Sequence, residues 1–241
     1  MNFKEISQII ISSTGLNSLP VGVRFLYEEI ISPEITNIDV RLCQAVMEAR
    51  LGHSVLVTSE NIACPAAGAA LGLKPLQDKL KSGETLKGYG IFRELEVGRK
   101  VMETMPRIEL GRFKSVLVKP LKDFTENPDV IVIEDEVEKL MWIALAYLNE
   151  EGGRLNMSTS ILQAVCVDAV VLPFLSQKIN MSFGCYGCRD ATDVKPSEAI
   201  LGIPFTKLDM MVKNLEFLKS KAIDRSRAKQ VYQMFTKRIE G

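Results

Sequence analysis

The chain has 241 residues, and its 30 Lys and Arg balance its 30 Asp and Glu, so the formal net charge is zero. This length is enough to bury a sizeable core without disulfides, and balanced charge gives no field that attracts nucleic acid or an anionic membrane. The longest apolar run, residues 164–175, contains Asp168 and Pro173 and is too short to span a bilayer.

The first half alternates between helical and strand-like patterns. Its N-terminus carries Glu5 and lacks a signal-peptide cleavage pattern, so we predict a cytoplasmic protein with reduced thiols. The helix that starts at Cys64 has Pro65 in the favoured first turn. The predicted elements are a helix over 6–11, a strand over 20–26, a helix over about 40–51, a strand over 54–57, the helix from Cys64, a loop over 82–90 and a helix over about 92–105.

The second half opens with two β-branched runs and then gives the strongest helical pattern in the chain, over 134–148. We interpret Glu134 and Asp135 as first-turn acids of that helix, although they would also suit a site at the end of a strand. Alternating elements favour an α/β or α+β fold with a mixed sheet and helices. The predicted elements are strands over 115–118 and 130–133, the helix over 134–148, a short strand near 155–157, a helix over 160–171, a strand over 179–183, a proline-punctuated segment over 196–204, and helices over 206–219 and 222–238.

The five cysteines form an internal echo. Cys43 begins an apolar helical run, and Cys64 follows a short strand 21 residues later. Cys166 begins a similar run, and Cys185 and Cys188 follow 19 and 22 residues later. Because a strand that runs back beside its helix returns the chain to the same end, each half is expected to bring two thiols to one point. We predict a single domain over 1–241, built from pseudo-symmetric halves at about 15–90 and 112–205 and followed by helices over 206–238.

Four thiolates bind either zinc in a closed tetrahedron or an iron–sulfur cluster. Structural zinc sites usually use two C-x-x-C pairs, whereas this chain has one, formed by Cys185 and Cys188. Dispersed thiols at the ends of regular elements favour a bulkier [4Fe–4S] cluster. Zinc and the absence of any metal stay open as alternatives, because a lone cysteine also packs well as a small hydrophobe.

Several motifs, taken in order, resemble the DUF169 family of anaerobic archaea and bacteria. They are PVGVRF, GHSVLV, CPAAGAALGL, VLVKPL, PDVIVIED, GCYGCR and ILGIPF. In that family's pattern Cys188 is a local extra, which keeps it as a possible alternate ligand. The resemblance implies recurring cofactor-binding thiols at Cys43, Cys64, Cys166 and Cys185, with Gly187 and Arg189 completing the last motif.

These observations predict an iron–sulfur protein of anaerobic metabolism that acts with a redox partner or on a small-molecule substrate. Four thiol ligands would limit the cluster to electron transfer, whereas three would leave one iron open as a Lewis acid. In the second case we expect a lyase, dehydratase or sulfur-transfer enzyme, with Arg189 or Lys119 orienting the substrate. The alternative function is a zinc-binding or metal-free interaction module.

Other active-site signatures are missing from the sequence. It contains no phosphate-binding G-x-x-x-x-G-K-[ST] loop and no G-x-S-x-G nucleophile elbow. The single histidine, His53, is interpreted as a turn residue. Pairing of Arg189 with Asp190 or Asp193 is as plausible as a role for Arg189 in substrate binding.

Overall fold

A computed structural model describes residues 1–28, 35–36 and 38–240. Residues 29–34 and 37, which belong to the predicted first half, lie outside the described residues. The strands are β1 (Val21–Leu26), β2 (Ile35–Thr36), β3 (Ser54–Thr58), β4 (Ser115–Pro120), β5 (Val130–Glu136), β6 (Asn180–Ser182) and β7 (Glu198–Pro204).

Helices fill the connections between these strands. The helix that carries Cys166 is a π-helix over Ala164–Val171 and continues directly into α8. The α-helices are α1 (Phe3–Thr14), α2 (Leu42–Arg50), α3 (Pro65–Ala70), α4 (Asp78–Lys81), α5 (Glu84–Gly88), α6 (Leu95–Glu103), α7 (Val137–Glu151), α8 (Leu172–Ser176), α9 (Tyr186–Ala191), α10 (Leu208–Leu218), α11 (Asp224–Arg227) and α12 (Gln230–Glu240).

The strands form one sheet in the order β2-β3-β4-β1-β5-β7-β6. The β2–β3 pair is parallel, and the other neighbouring pairs are antiparallel. Outward from the centre, β1, β4 and β3 correspond to β5, β7 and β6. The first structural half therefore extends through β4, whose residues were predicted to open the second half. Because β1 and β5 are antiparallel, with Val23 opposite Val130, a half-turn about an axis between them relates the two sets of strands. This order is the one that two pseudo-symmetric halves would produce.

Successive side chains of a strand point to opposite faces of the sheet, so the strands contribute to two separate cores, one on each face. On β5, Val130 and Val132 pack in the core that contains α2, α3, α6, the π-helix and all five cysteines. Ile131 and Ile133 pack in the core on the opposite face, with α1, α7 and α10. The structure therefore confirms a mixed sheet covered by helices. In the described ranges no helix has the length and apolar character needed to cross a bilayer.

Two contacts fix the π-helix against the second half of the sheet. A Cβ atom on Gly202 of β7 would lie 2.0 Å from the carbonyl oxygen of Ala169, so backbone meets backbone there and only glycine fits. The Asp168 carboxylate accepts hydrogen bonds from Thr159 Oγ1 at 2.6 Å and Ser182 Oγ at 2.8 Å. The segment that carries Cys166 is thus held to both β6 and β7.

Several predicted boundaries are wrong. The segment 82–90, predicted as a loop, contains α5, because Gly83 adopts a left-handed backbone (φ +86°) between α4 and α5. The helix predicted over 134–148 begins only at Val137. Glu134 and Asp135 instead continue β5 and pair with β7, so their interpretation as first-turn acids is also wrong.

The proline-punctuated segment 196–204 contains β7, an inner strand of the sheet. Pro204 is tolerated because it is the last residue of the strand. The predicted strand near 155–157 does not form, and the predicted helix over 160–171 begins only at Ala164. The C-terminal segment forms α10, a π-helical turn over Lys219–Ile223, α11 and α12, rather than two helices.

Candidate functional site

All five cysteines line one cavity of about 650 Å³ on the α2 and α3 face of the sheet. Each half of the chain contributes to it. Cys43 and Cys64 come from the first half, and Cys166, Cys185 and Cys188 come from the second. The sequence echo therefore corresponds to a real convergence of segments that are more than one hundred residues apart in the chain.

The first-half thiols lie at the starts of two helices. Cys43 is in the first turn of α2, and Cys64 is the residue immediately before α3, with an extended backbone (φ −89°, ψ 113°). Pro65 then begins α3. A proline is favoured there, because the N–H that it lacks would have no partner within the helix. The sequence thus places Cys64 at a sharp change of chain direction, where its side chain can face the cavity.

Cys185 occupies the corresponding place in the second half, as the N-cap of α9. Its Sγ accepts a hydrogen bond from the N–H of Cys188 at 3.3 Å, and Cys188 Sγ accepts one from the N–H of Cys185 at 3.0 Å. The C-x-x-C spacing therefore forms a reciprocal cap. Because Cys188 takes part in it, this cysteine stabilises the turn whether or not it binds a metal.

The loop that leads to Cys166 adopts an unfavourable backbone conformation. Ile161 and Gln163 have left-handed backbones, with φ of 58° and 56°, although neither is glycine. Each such residue costs about 1–3 kcal/mol and persists only where surrounding contacts impose it. Gln163 directly precedes the π-helix, and π-helical turns are concentrated at functional sites.

The thiols differ in their ease of ionisation. Burial, followed by the proximity of Cys185 and Cys64, raises the pKa of Cys43 to about 12. Burial and the neighbouring thiols also raise the pKa of Cys166. The pKa of Cys185 is lowered to about 6, first by its contact with the Cys188 thiol and then, against the effect of burial, by the backbone N–H of Ala164. In the metal-free site Cys185 therefore forms a thiolate more readily than Cys43 and Cys166.

This difference predicts selective alkylation of the metal-free protein. At pH 7 a thiol of pKa about 6 is mostly thiolate, so iodoacetamide should label Cys185 well before Cys43. The labelling rate of Cys185 should rise through pH 6 and level off above pH 7, measured by peptide mass spectrometry. In Cys188→Ala the midpoint should move to higher pH. Labelling of Cys43 as fast as Cys185 at pH 7 would contradict the assignment.

The cavity does not resemble a site for one small ion. Among the described residues, no three His, Cys, Asp or Glu side chains come close enough together to hold a single metal ion. The thiols instead surround a space much larger than one ion requires.

A buried ion cluster connects α2 to the sheet beside the thiols. Arg50, the last residue of α2, contacts Glu134 on β5 at 3.0 Å and Glu198 on β7 at 2.9 Å. Burial raises the pKa of Glu134 to about 7, with smaller contributions from Glu198 and then Cys185, while Arg50 acts in the opposite direction. The sequence offered no signal for Arg50, whose partners are 84 and 148 residues away.

The two predicted substrate-orienting residues do not line the cavity. Arg189 donates to the backbone oxygens of Phe183, Lys195 and Glu198, so it braces the turn after α9 rather than pairing with Asp190 or Asp193. Lys119 lies on β4 with its ammonium 4.7 Å from the ring centre of Phe124, which packs in a small cluster apart from the thiol core.

Comparisons with known proteins agree with the sequence motifs. The family model DUF169, described as "Uncharacterised ArCR", matches residues 9–214. The curated "Uncharacterized protein MJ0308" of Methanocaldococcus jannaschii is 28% identical over 181 residues, which is 74% of this chain and 77% of that protein. No solved structure matches the chain significantly. The range matched by the family model includes all five cysteines and ends before α11 and α12.

Proposed function

Because the chain belongs to the DUF169 family, we propose that the thiols it shares with that family's pattern hold an iron–sulfur cluster of the [4Fe–4S] type. The observation that carries this proposal is the convergence of the cysteines on one cavity, with contributions from both halves of the sheet. Cysteines retained only as small core residues have no reason to share a cavity. The proposed ligand set is Cys43, Cys64, Cys166 and Cys185.

The chemistry of the donors supports the same centre. Thiolates are soft ligands that select iron–sulfur clusters, zinc or copper(I) over hard cations. Because the pKa values of Cys43 and Cys166 are raised, these thiols are neutral at pH 7 unless a positive charge binds beside them. Metal ions supply that charge, and binding then releases the thiol protons.

The spacing of the thiols favours a cluster over zinc. Four sulfurs around one zinc ion each lie about 2.3 Å from it, which packs them tightly together. The described residues contain no group of three donors that is so compact. A cubane separates its ligands more widely, which agrees with thiols spread around a cavity.

When bound, such a cluster supplies one-electron transfer or, if one iron lacks a thiol ligand, a Lewis acid. The chain supplies burial and hydrogen-bond donors. Cys166, Cys185 and Cys188 are buried, and the N–H of Cys188 donates to Cys185 Sγ. Donors to a ligand sulfur stabilise its negative charge, so we propose a role in redox chemistry or cluster-dependent catalysis of anaerobic metabolism.

Anaerobic expression tests this proposal directly. The purified protein should be brown, absorb broadly near 400 nm, and contain about four iron and four sulfide per chain. Exposure to air should bleach it. Stoichiometric zinc without iron in such a preparation, or no metal after reconstitution with iron and sulfide, would contradict the proposal.

A further inference from the structure

The cavity wall that faces the thiols comes from a segment present in only one half of the chain. In the first half, residues 71–114 separate α3 from β4, whereas in the second half only residues 192–197 separate α9 from β7. The longer connection contains α4 and α5, which place Leu80 and Leu86 against the cavity. Because the second half brings its thiols together without an equivalent segment, this wall is not needed to hold the ligands.

The wall is built as a fixed surface. Gly83, between α4 and α5, packs so tightly on α6 that an added Cβ would lie 2.4 Å from the carbonyl oxygen of Leu95. Leu80 and Leu86 are buried on either side of it. A rigid wall of this kind preserves the shape of the space that it encloses.

The enclosed space exceeds the needs of a cluster. A cubane whose edges are bonds of about 2.3 Å is compact and fills only part of a cavity of this size. The cavity measures about 650 Å³, which is within the range of small-molecule sites. Most of the cavity therefore stays open to a second occupant beside the thiols.

Two cations in the cavity lining, Arg41 and Lys79, provide local positive charge for an anionic group. Asp190 and any ionised cysteine carry the opposite charge, so the attraction for an anion is confined to the part of the cavity beside these two side chains. The Arg41 guanidinium has five N–H donors, yet among the described residues its side chain donates one long hydrogen bond, 3.5 Å to the carbonyl oxygen of Gly187. It retains the capacity to bind a carboxylate with two parallel hydrogen bonds.

We infer that the space between the thiols and the α4–α5 wall binds a small organic carboxylate, whose charged group lies on Arg41 and whose apolar body packs on Leu80 and Leu86. This inference rests on the proposed function in one respect, since it makes the carboxylate the substrate or effector of the cluster. A carboxylate suits a single guanidinium fork, whereas phosphate sites usually gather several donors from backbone and side chains. Tyr89 and Tyr186, exposed at 71% and 61%, belong to the same cavity lining.

Calorimetry with benzoate, benzamide and phenyl phosphate as probes tests the inference, on both metal-free and cluster-loaded full-length protein. Benzoate should bind at least about tenfold more tightly than benzamide. Arg41→Gln should weaken benzoate binding about tenfold or more and leave benzamide unchanged. Lys79→Gln should weaken benzoate binding by less. The matched control is Lys81→Gln, also on α4 but outside the cavity lining, which should stay within about twofold of the unmodified protein.

The outcomes separate this inference from the cluster proposal. Equal binding of benzoate and benzamide, no effect of Arg41→Gln, or clear preference for phenyl phosphate would overturn the carboxylate site, even in protein that holds iron. Arg41-dependent benzoate binding in protein that fails to take up iron would support the carboxylate site and overturn the cluster. If Arg41→Gln lowers the iron content, the comparison of Lys79→Gln with Lys81→Gln decides the result, because both residues lie on α4, away from the thiol-bearing helices. Weaker benzoate binding in Lys79→Gln than in Lys81→Gln would support the carboxylate site, and equal binding in the two variants would overturn it.

Discussion

Replacing any one member of the proposed ligand set with alanine should remove most of the bound iron. Each variant deletes one thiolate from a cluster whose ligands come from four separate segments, and no neighbouring His stands ready as a substitute among the described residues. Cys43→Ala is the most informative, because Cys43 lies in an apolar helix where it would otherwise be explained as a packing residue. Iron and sulfide per chain and the absorbance near 400 nm are the measurements.

Cys188→Ala is the matched control, since it removes a fifth thiol from the same cavity and should leave the iron in place. Circular dichroism should show that every variant is folded. If Cys188→Ala empties the site while Cys185→Ala does not, Cys188 is the ligand and Cys185 the capping residue. Retention of full iron by Cys43→Ala would contradict a cluster that spans both halves.

Arg50→Met should destabilise the protein by about 3–5 kcal/mol, the usual cost of removing one partner from a buried ion pair. The substitution keeps the length and apolar part of the side chain, but it leaves the buried carboxylates of Glu134 and Glu198 without their cation. Urea unfolding at neutral pH measures the loss. Arg99→Met is the control: Arg99 pairs with Glu96 and Glu103 on an exposed surface, so its loss should change the unfolding free energy by less than about 1 kcal/mol.

The destabilisation should grow with pH. The pKa of Glu134 is already raised to about 7 in the folded protein, above its ordinary value of 4.5, so its protonated form favours folding and that contribution disappears as pH rises through 7. Without Arg50 the pKa of Glu134 rises further, so the variant continues to lose stability above pH 7, where the unmodified protein no longer does, and the gap between them should widen as the pH is raised above 7. Adding Glu134→Gln and Glu198→Gln to Arg50→Met should recover much of the stability. A loss that does not change with pH would contradict the carboxylate explanation.

Local patterns predicted the parts of the fold that depend on neighbours in sequence. The β-branched runs at β4 and β5 and the Cys64–Pro65 helix start lie where those residues alone suggest. The cysteine echo indicated paired halves because both copies use the same order of helix, strand and helix start. These local predictions agree with the structure because no contact between residues distant in sequence opposes them.

Distant contacts explain the errors. Acidic residues suit the first turn of a helix, but Glu134 and Asp135 stay in β5 because β7 pairs with them and Arg50 neutralises Glu134. β7 was missed because its prolines suggested a loop, whereas they flank or end the strand. No local pattern marked the α4–α5 wall or Arg41 as part of the cavity, since both depend on how two halves meet.

The central β1–β5 pairing also bears on the order in which the protein assembles. Cys43 and Cys185 are 142 residues apart (185 − 43), and they meet only once both halves of the sheet are joined. In a zinc finger the metal drives folding, because the small domain has too little core to fold without it. Here the cores on both faces of the sheet consist largely of aliphatic residues that do not depend on a metal. The polypeptide should therefore fold without a metal, and a chelator should strip the iron from iron-loaded protein while leaving the sheet intact.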